Sequence, residues 1–247
     1  MSSPNYNLQP IWDELLFIYH EFRAICERHQ LRYWAAYGTL LGAVRHKGFI
    51  PWDDDFDVVM PRSDYNQFIK VAPEELPGFL KWVCAENGTR SWIPFGKIYE
   101  TRKEIKERVA NDSNLSLRHG LFVDVFPLDG IPSTAVGRFL YFAERSLRRK
   151  LMHRSGTKVG KNKRFLRFLK RYDFDRSKCV ANTDDASSND IGHCAFREWY
   201  RSTVWLPFAG TDVPAPVDYE KILRHQYGEY MKLPPENQRL PTHQVLG

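Results

Sequence analysis

The chain has 247 residues, 43% of them apolar and 14% aromatic, which is the make-up of folded domains and excludes a disordered or fibrous chain. No apolar run approaches the ~20 residues of a membrane span, and the opening MSSPNYNLQP lacks the basic end and apolar stretch of a secretory leader, so the expected address is the cytosol. The net charge of +6 is uneven: residues 138–171 hold thirteen Lys or Arg and one acid, Glu144, a net +12 that leaves −6 on the rest.

Taken in chain order, residues 11–29 place Trp12, Leu15, Leu16, Tyr19, Phe22 and Cys26 at steps of three and four, the pattern of an amphipathic helix. Residues 31–37, LRYWAAY, read as a short strand. Gly38 then opens a turn into a short helix, TLLGAVRH, that ends near Lys47-Gly48. After the FIPW loop, residues 55–60 read as a strand. Ser63 is placed to cap a helix through about residue 71, ended by APEELPG. Residues 80–85 and 92–99 read as strands joined by a turn at Asn87-Gly88, and 102–119 is polar and ambiguous. Residues 120–130, GLFVDVFPLDG, form an apolar strand with Asp124 inside it. The basic segment follows as two helices broken at 156–160, and 182–192 is a loop. Asp218 is placed to cap a last helix through 227, stopped by Gly228. Short strands mixed with helices predict an α+β fold, divided into a catalytic core (1–135), a basic helical insertion (136–181) and a C-terminal helical part (182–247). Four cysteines at scattered positions predict free thiols. Cys179, His193 and Cys194 match no common zinc spacing, and ordinary packing is expected of them.

The chemistry centres on Asp53, Asp54, Asp55 and Asp57, which fall within five residues at the head of a strand. Side chains alternate along a strand, so Asp55 and Asp57 share a face, Asp53 joins them if the extended run starts earlier, and Asp54 points away. Carboxylates this close raise one another's pKa unless something positive stands among them. Mg²⁺ (or Mn²⁺) suits such hard oxygen ligands and usually takes one or two carboxylates plus substrate phosphate. Asp124, set between Val123 and Val125, needs a partner if buried, and a neighbouring strand would bring it to the same pocket. Gly38-Thr39 stands where a helix start can hold a phosphate. Lys97, Arg45 and Lys47 are further phosphate-holding candidates, Lys97 first among them because it lies in an apolar strand. Trp52 is the aromatic best placed to stack on a substrate, whereas Tyr33, Trp34 and Tyr37 are expected mainly to pack. His46 is as readily a packed or exposed histidine as a substrate contact.

GTLLGAVRHKGFIPWDDDFDVVMPRSDY, then FGKIYETR, GLFVDVFPLDGIP and YGEYMKLPP, closely resemble the LicD family, which includes bacterial phosphocholine transferases and is related to fukutin and fukutin-related protein. The resemblance covers about residues 11–130 and 196–243, and the basic segment lies outside it. It implies a nucleotidyltransferase-like mixed sheet flanked by helices. Gly38-Thr39 would be the phosphate turn, Asp55 and Asp57 the metal pair with Asp53 beside them, and Asp124 a third acid acting as base or metal ligand. It also implies transfer of a phospho-alcohol group, phosphocholine above all, from a CDP-activated donor to a glycan hydroxyl, with CMP released. Two rivals remain: a nucleotidyltransferase that adds NMP and releases pyrophosphate, and a non-enzymatic basic adaptor. In the basic segment Phe139, Leu140, Phe142, Ala143, Leu147 and Leu151 alternate with arginines, and FLRFL at 165–169 repeats the pattern. That combination describes a helix on an anionic membrane surface, placing the protein peripherally at the inner face of the membrane; a solvated helix face is the second reading and nucleic acid the weakest.

Overall fold

The computed structural model describes residues 7–85, 95–102, 105–108, 116–155, 162–183 and 195–239. The first helix, α1 (Gln9–Arg28), buries Leu15, Ile18, Tyr19, Phe22 and Ile25 along one face, as its spacing requires. Strand β1 is only Trp34–Ala35, shorter than the 31–37 run predicted, because α2 (Tyr37–His46) begins two residues later. The reversal is made at Tyr37, which takes a left-handed φ of 43°. Gly38 is therefore not the residue that bends the chain. Strand β2 (Asp57–Pro61) runs into α3 (Arg62–Glu75), whose N-cap is Pro61, and Pro73 is carried within its last turn. Ser63 lies inside that helix and donates its hydroxyl to Asp64, so it is not the cap.

The polar stretch after β3 (Leu80–Val83) and β4 (Gly96–Glu100) contains an antiparallel pair, β5 (Ile105–Arg108) with β6 (Ser116–His119). Strand β7 (Phe122–Ile131) follows, buried along its whole length. The basic segment supplies α4 (Ala135–Arg154) and α5 (Lys163–Leu169). Four strands beyond it have no counterpart in the sequence reading: β8 (Cys179–Ala181), β9 (Ala195–Phe196), β10 (Thr203–Phe208) and β11 (Thr211–Pro216). The hairpin of β10 and β11 turns on Ala209 and Gly210, both at positive φ, the mirror-image turn that suits the strand twist. Asp218 precedes α6 (Tyr219–Tyr227) but makes no capping bond; its carboxylate holds Arg201 and Lys221.

Seven strands form one mixed sheet in the order β1-β2-β7-β4-β3, with β8 paired to the far end of β7 and β9 to β8. Its pairings are antiparallel except that β2 and β7 run parallel. Alternation assigns the faces. Val58, Met60, Ile98, Val123 and Val125 meet α1 and α3 in the main core. Val59, Phe126 and Leu128 face the other way, onto Trp34, Phe174, Val180 and Ala195. The Asn87-Gly88 turn, the helix break at 156–160, His193 and Cys194 lie outside the described residues. Cys26, Cys84 and Cys179 are buried free thiols.

Strand β7 buries a second acid, Asp129, which is fully enclosed. Its carboxylate accepts from Arg62 Nε and NH2 at 2.8 and 2.7 Å and from Thr183 Oγ1 at 2.6 Å. Removing one member of such a pair strands a buried charge. Arg62→Ala is therefore expected to lower stability by about 3–5 kcal/mol in urea unfolding, and the double change Arg62→Met with Asp129→Leu to recover most of the loss. A single variant as stable as the parent would show that the pair is dispensable.

Candidate active site

The parallel register of β2 and β7 sets Asp57 directly opposite Asp124, and the antiparallel register of β7 and β4 sets Asp124 opposite Lys97. Neighbouring strands lie about 4.8 Å apart and partners share a face, so the three side chains form one row. Lys97 Nζ sits 2.6 and 2.9 Å from the two oxygens of Asp124 and 3.4 Å from the centre of the Phe122 ring. The first-ranked phosphate candidate of the sequence thus stands as the ion-pair partner of the third acid. All three residues are nearly buried.

Asp53 and Asp55 precede β2 in extended chain. Their side chains meet the start of α2: a Cβ added at Gly38 would fall 2.3 Å from Asp53 Oδ2 and 3.7 Å from Asp55 Oδ1. A side chain at 38 would have to displace the Asp53 carboxylate. The positive end of α2 faces these carboxylates and favours them. Thr39 is buried and its Oγ1 accepts the backbone N–H of Asp57 at 2.8 Å, fastening α2 to β2. Trp12 Nε1 donates to the Asp53 carbonyl at 2.8 Å, fixing the acid loop from the other side. Asp54, at the alternate position, is buried.

Burial and then the Asp55 charge push the Asp53 carboxyl up to about 9. Burial, followed by Asp55, Asp124 and Asp53, also holds Asp57 well above the usual carboxylate range, with Lys97 only partly opposing this. Like charges thus crowd both Asp53 and Asp57.

Arg45 and Lys47 lie in a different setting from Gly38. They stand at the C-terminal end of α2, roughly 10–14 Å along its axis, and Lys47 is an exposed left-handed cap. Arg45 donates to His46 Nε2 at 2.9 Å and to the Tyr230 carbonyl at 3.0 Å. Burial and the Arg45 charge hold His46 below its usual pKa. Trp52 has the His46 ring edge-on at 6.3 Å and the Arg239 guanidinium 5.5 Å from its own ring centre. Tyr33 and Trp34 are buried, with Tyr19 and Thr203 as their polar partners.

Tyr227, at the end of α6, was assigned no role from sequence, although it opens the YGEY block. Burial pushes its hydroxyl pKa up, and the charges of Asp57, Asp53 and Asp55 push it further, with Arg45 opposing. The three carboxylates are thus within electrostatic reach of that hydroxyl. Tyr227 also lines a cavity of about 180 Å³ together with Tyr37, Val59, Leu128, Phe142 and Tyr200. Val59 and Leu128 follow Asp57 and Asp124 on the same sheet face, so acid row and cavity adjoin. Asn182 Nδ2 donates to the Tyr37 hydroxyl at 3.0 Å at the cavity wall. Arg239 was also unanticipated from sequence; its like charge acts on Arg45.

A mixed sheet that aligns carboxylates from adjacent strands behind a Gly-Thr helix start is the architecture of a nucleotidyltransferase-like domain. Residues 30–141 match the family model described as LicD/FKTN/FKRP, nucleotidyltransferase domain. Over 247 residues the chain is 29% identical to the lipopolysaccharide cholinephosphotransferase LicD of Haemophilus influenzae, covering 90% of each protein. Shorter matches of 47 residues, 45% and 43% identical, join it to uncharacterized proteins of Rickettsia typhi and Rickettsia prowazekii; each spans 19% of this chain, and 15% and 18% of those proteins respectively.

The raised carboxyls give a pH test. The ordinary value for Asp53 is 3.8 and its folded value about 9, so between these the folded chain keeps a proton that the unfolded chain has released. Stability is then greatest below the lower value and is lost as pH rises toward the upper one. In EDTA the melting temperature is expected to fall steadily from about pH 5 to about pH 9, and Asp53→Asn to flatten that fall and melt higher at the alkaline end. Parallel profiles for parent and variant would contradict the assignment.

Proposed function

We propose that the protein transfers phosphocholine from CDP-choline to a hydroxyl of a cell-surface glycan such as lipopolysaccharide, releasing CMP. The acid row beside an aromatic cavity carries this reading, and the extended likeness to a cholinephosphotransferase supports it. The acceptor oxygen attacks the phosphorus that bears choline, and the bond from that phosphorus to the bridging oxygen breaks, so the electron pair leaves with CMP. The hydroxyl proton goes to a carboxylate of the row. Asp124 suits that role because its charge is held opposite the Lys97 ammonium, and a base must be ionised to act.

The donor set fits Mg²⁺ or Mn²⁺ in one particular way. Asp55 and Asp57 offer hard oxygens, and burial followed by the charges of Asp55, Asp124 and Asp53 holds Asp57 high. Among the described residues no group of three or more His, Cys, Asp or Glu is assembled as a ligand cage. Two carboxylates completed by donor phosphate oxygens are the fitting set. A divalent cation bound there would offset the charge of carboxylates and diphosphate together.

The remaining roles fall to the chain itself. The N-terminus of α2 and the Arg45 and Arg239 guanidiniums would border the donor's phosphates and ribose. Trp52 offers a ring face to cytosine. The cavity offers Tyr37, Tyr200 and Tyr227 to a trimethylammonium group, which aromatic faces hold without a carboxylate. Its largely apolar wall would leave the hydroxyls of a polyol unpaired.

The test is CMP release from CDP-choline with Mg²⁺ and a lipopolysaccharide oligosaccharide acceptor. Release is expected to stop on adding EDTA and to fall by roughly 10³-fold in Asp57→Asn, while CDP-ribitol is used at least about tenfold less well. Pyrophosphate release from CTP would point instead to nucleotidyl transfer, and full activity in Asp57→Asn would end the proposal.

A further inference from the structure

Helix α4 has two apolar faces, and only one is covered. Tyr141, Phe142 and Met152 turn inward with the side chain of Arg145, whose Nε donates to the Thr183 carbonyl at 2.8 Å. They pack on Phe165, Phe168 and Leu169 of α5 and on Cys179 and Ala181. This corrects the sequence reading in two places: Phe142 and the apolar residues of FLRFL belong to a core, and α5 presents only its cations outward. On the other face Val136, Phe139, Leu140, Leu147 and Leu151 are each more than half exposed. At 100° per residue they fall within one stripe about a third of the helix circumference wide. They are half of the exposed large apolar residues among those described.

Cations border the stripe. Arg148, Arg164, Arg167 and Arg171 line an open groove between α4 and α5 that contains one acid, Glu144. Glu144 accepts from Arg148 at 2.6 and 2.8 Å and lies 3.9 Å from Arg171, so one carboxylate faces four guanidiniums. A second groove joins Leu151 of the stripe to Arg148 and Arg164. Apolar stripe and arginine groove are thus one continuous surface.

We infer that this surface docks on an anionic lipid bilayer, the stripe of α4 entering the headgroup boundary and the arginines of the α4–α5 groove contacting lipid phosphates. Charge complementarity selects this occupant. The +12 segment would repel the same segment of a second copy, and an aliphatic stripe has no counterpart on a nucleic-acid backbone. Among the described residues no helix is long and apolar enough to cross a membrane, so the helix lies on the surface. The inference does not depend on the reaction proposed above.

Vesicle flotation of the full chain tests it, using neutral phosphatidylcholine vesicles and the same lipid with about one third phosphatidylglycerol. Binding is expected to the anionic vesicles only and to weaken as salt rises. Leu147→Asp with Leu151→Asp should reduce it roughly tenfold or more, and Arg164→Glu with Arg167→Glu by a similar factor. Both pairs are exposed, and unchanged circular dichroism and melting temperature will show that the variants fold. Failure to float with anionic vesicles at low salt overturns the inference. So does a parent dimer that Leu147→Asp with Leu151→Asp converts to monomer while vesicle binding stays intact, which would make the stripe a contact between copies. Displacement of the protein from vesicles by lipid-free anionic micelles, but not by a short RNA duplex of equal charge, supports it; equal displacement by the RNA overturns it.

Discussion

The parallel pairing of β2 with β7 is the constraint on which the site depends. Two strands that enter a sheet from separate parts of the chain must be parallel and in one register for Asp57 to stand opposite Asp124. A one-residue slip would send one carboxylate into the core under α1 and α3. The register is held from both sides of the row. Asp57 donates its N–H to the Thr39 hydroxyl, Ala36 donates to the Asp57 carbonyl at 3.0 Å, and Asp124 donates to the Phe56 carbonyl at 2.9 Å. Val58 and Met60 on one face and Val59 on the other then lock the alternation by burial.

The same strand illustrates two fates of a buried acid. Asp129 is given a bidentate arginine and a hydroxyl and is closed off from solvent. Asp124, five residues earlier and on the opposite face, pairs with Lys97 in a neighbourhood that contains three further carboxylates. One acid is a structural counter-ion, and the other belongs to a crowded cluster of carboxylates. Such crowding is a feature of sites that act on charged substrates.

The acid cluster was legible because its chemistry is written in consecutive residues, and the row with Asp124 followed from one apolar strand bearing one charge. The helices α1, α2 and α6 followed from apolar spacing and from Gly228. Three kinds of feature were not legible. Gly38 looked like a turn residue, whereas the turn falls on Tyr37 and the glycine leaves room for the Asp53 carboxylate. Lys97 looked like a phosphate ligand because nothing in one dimension shows that it faces Asp124. Strands β8 to β11 were missed because they are short, or carry prolines such as Pro207 and Pro214, and their partners lie far along the chain. The Ala209-Gly210 pair between two alternating runs was the available signal for the last hairpin. Tyr227 and Arg239 reach the site only through the fold of the last third of the chain, which no local pattern reports.

The acids and one part of the cavity wall come from different stretches of the chain. Asp53, Asp55, Asp57, Lys97 and Asp124 all fall inside residues 30–141, the stretch common to the family domain. Asn182, Tyr200, His225 and Tyr227, on the far wall of the cavity, come from beyond it. Divergence in the later stretch can therefore reshape that part of the wall while the row of acids is inherited unchanged.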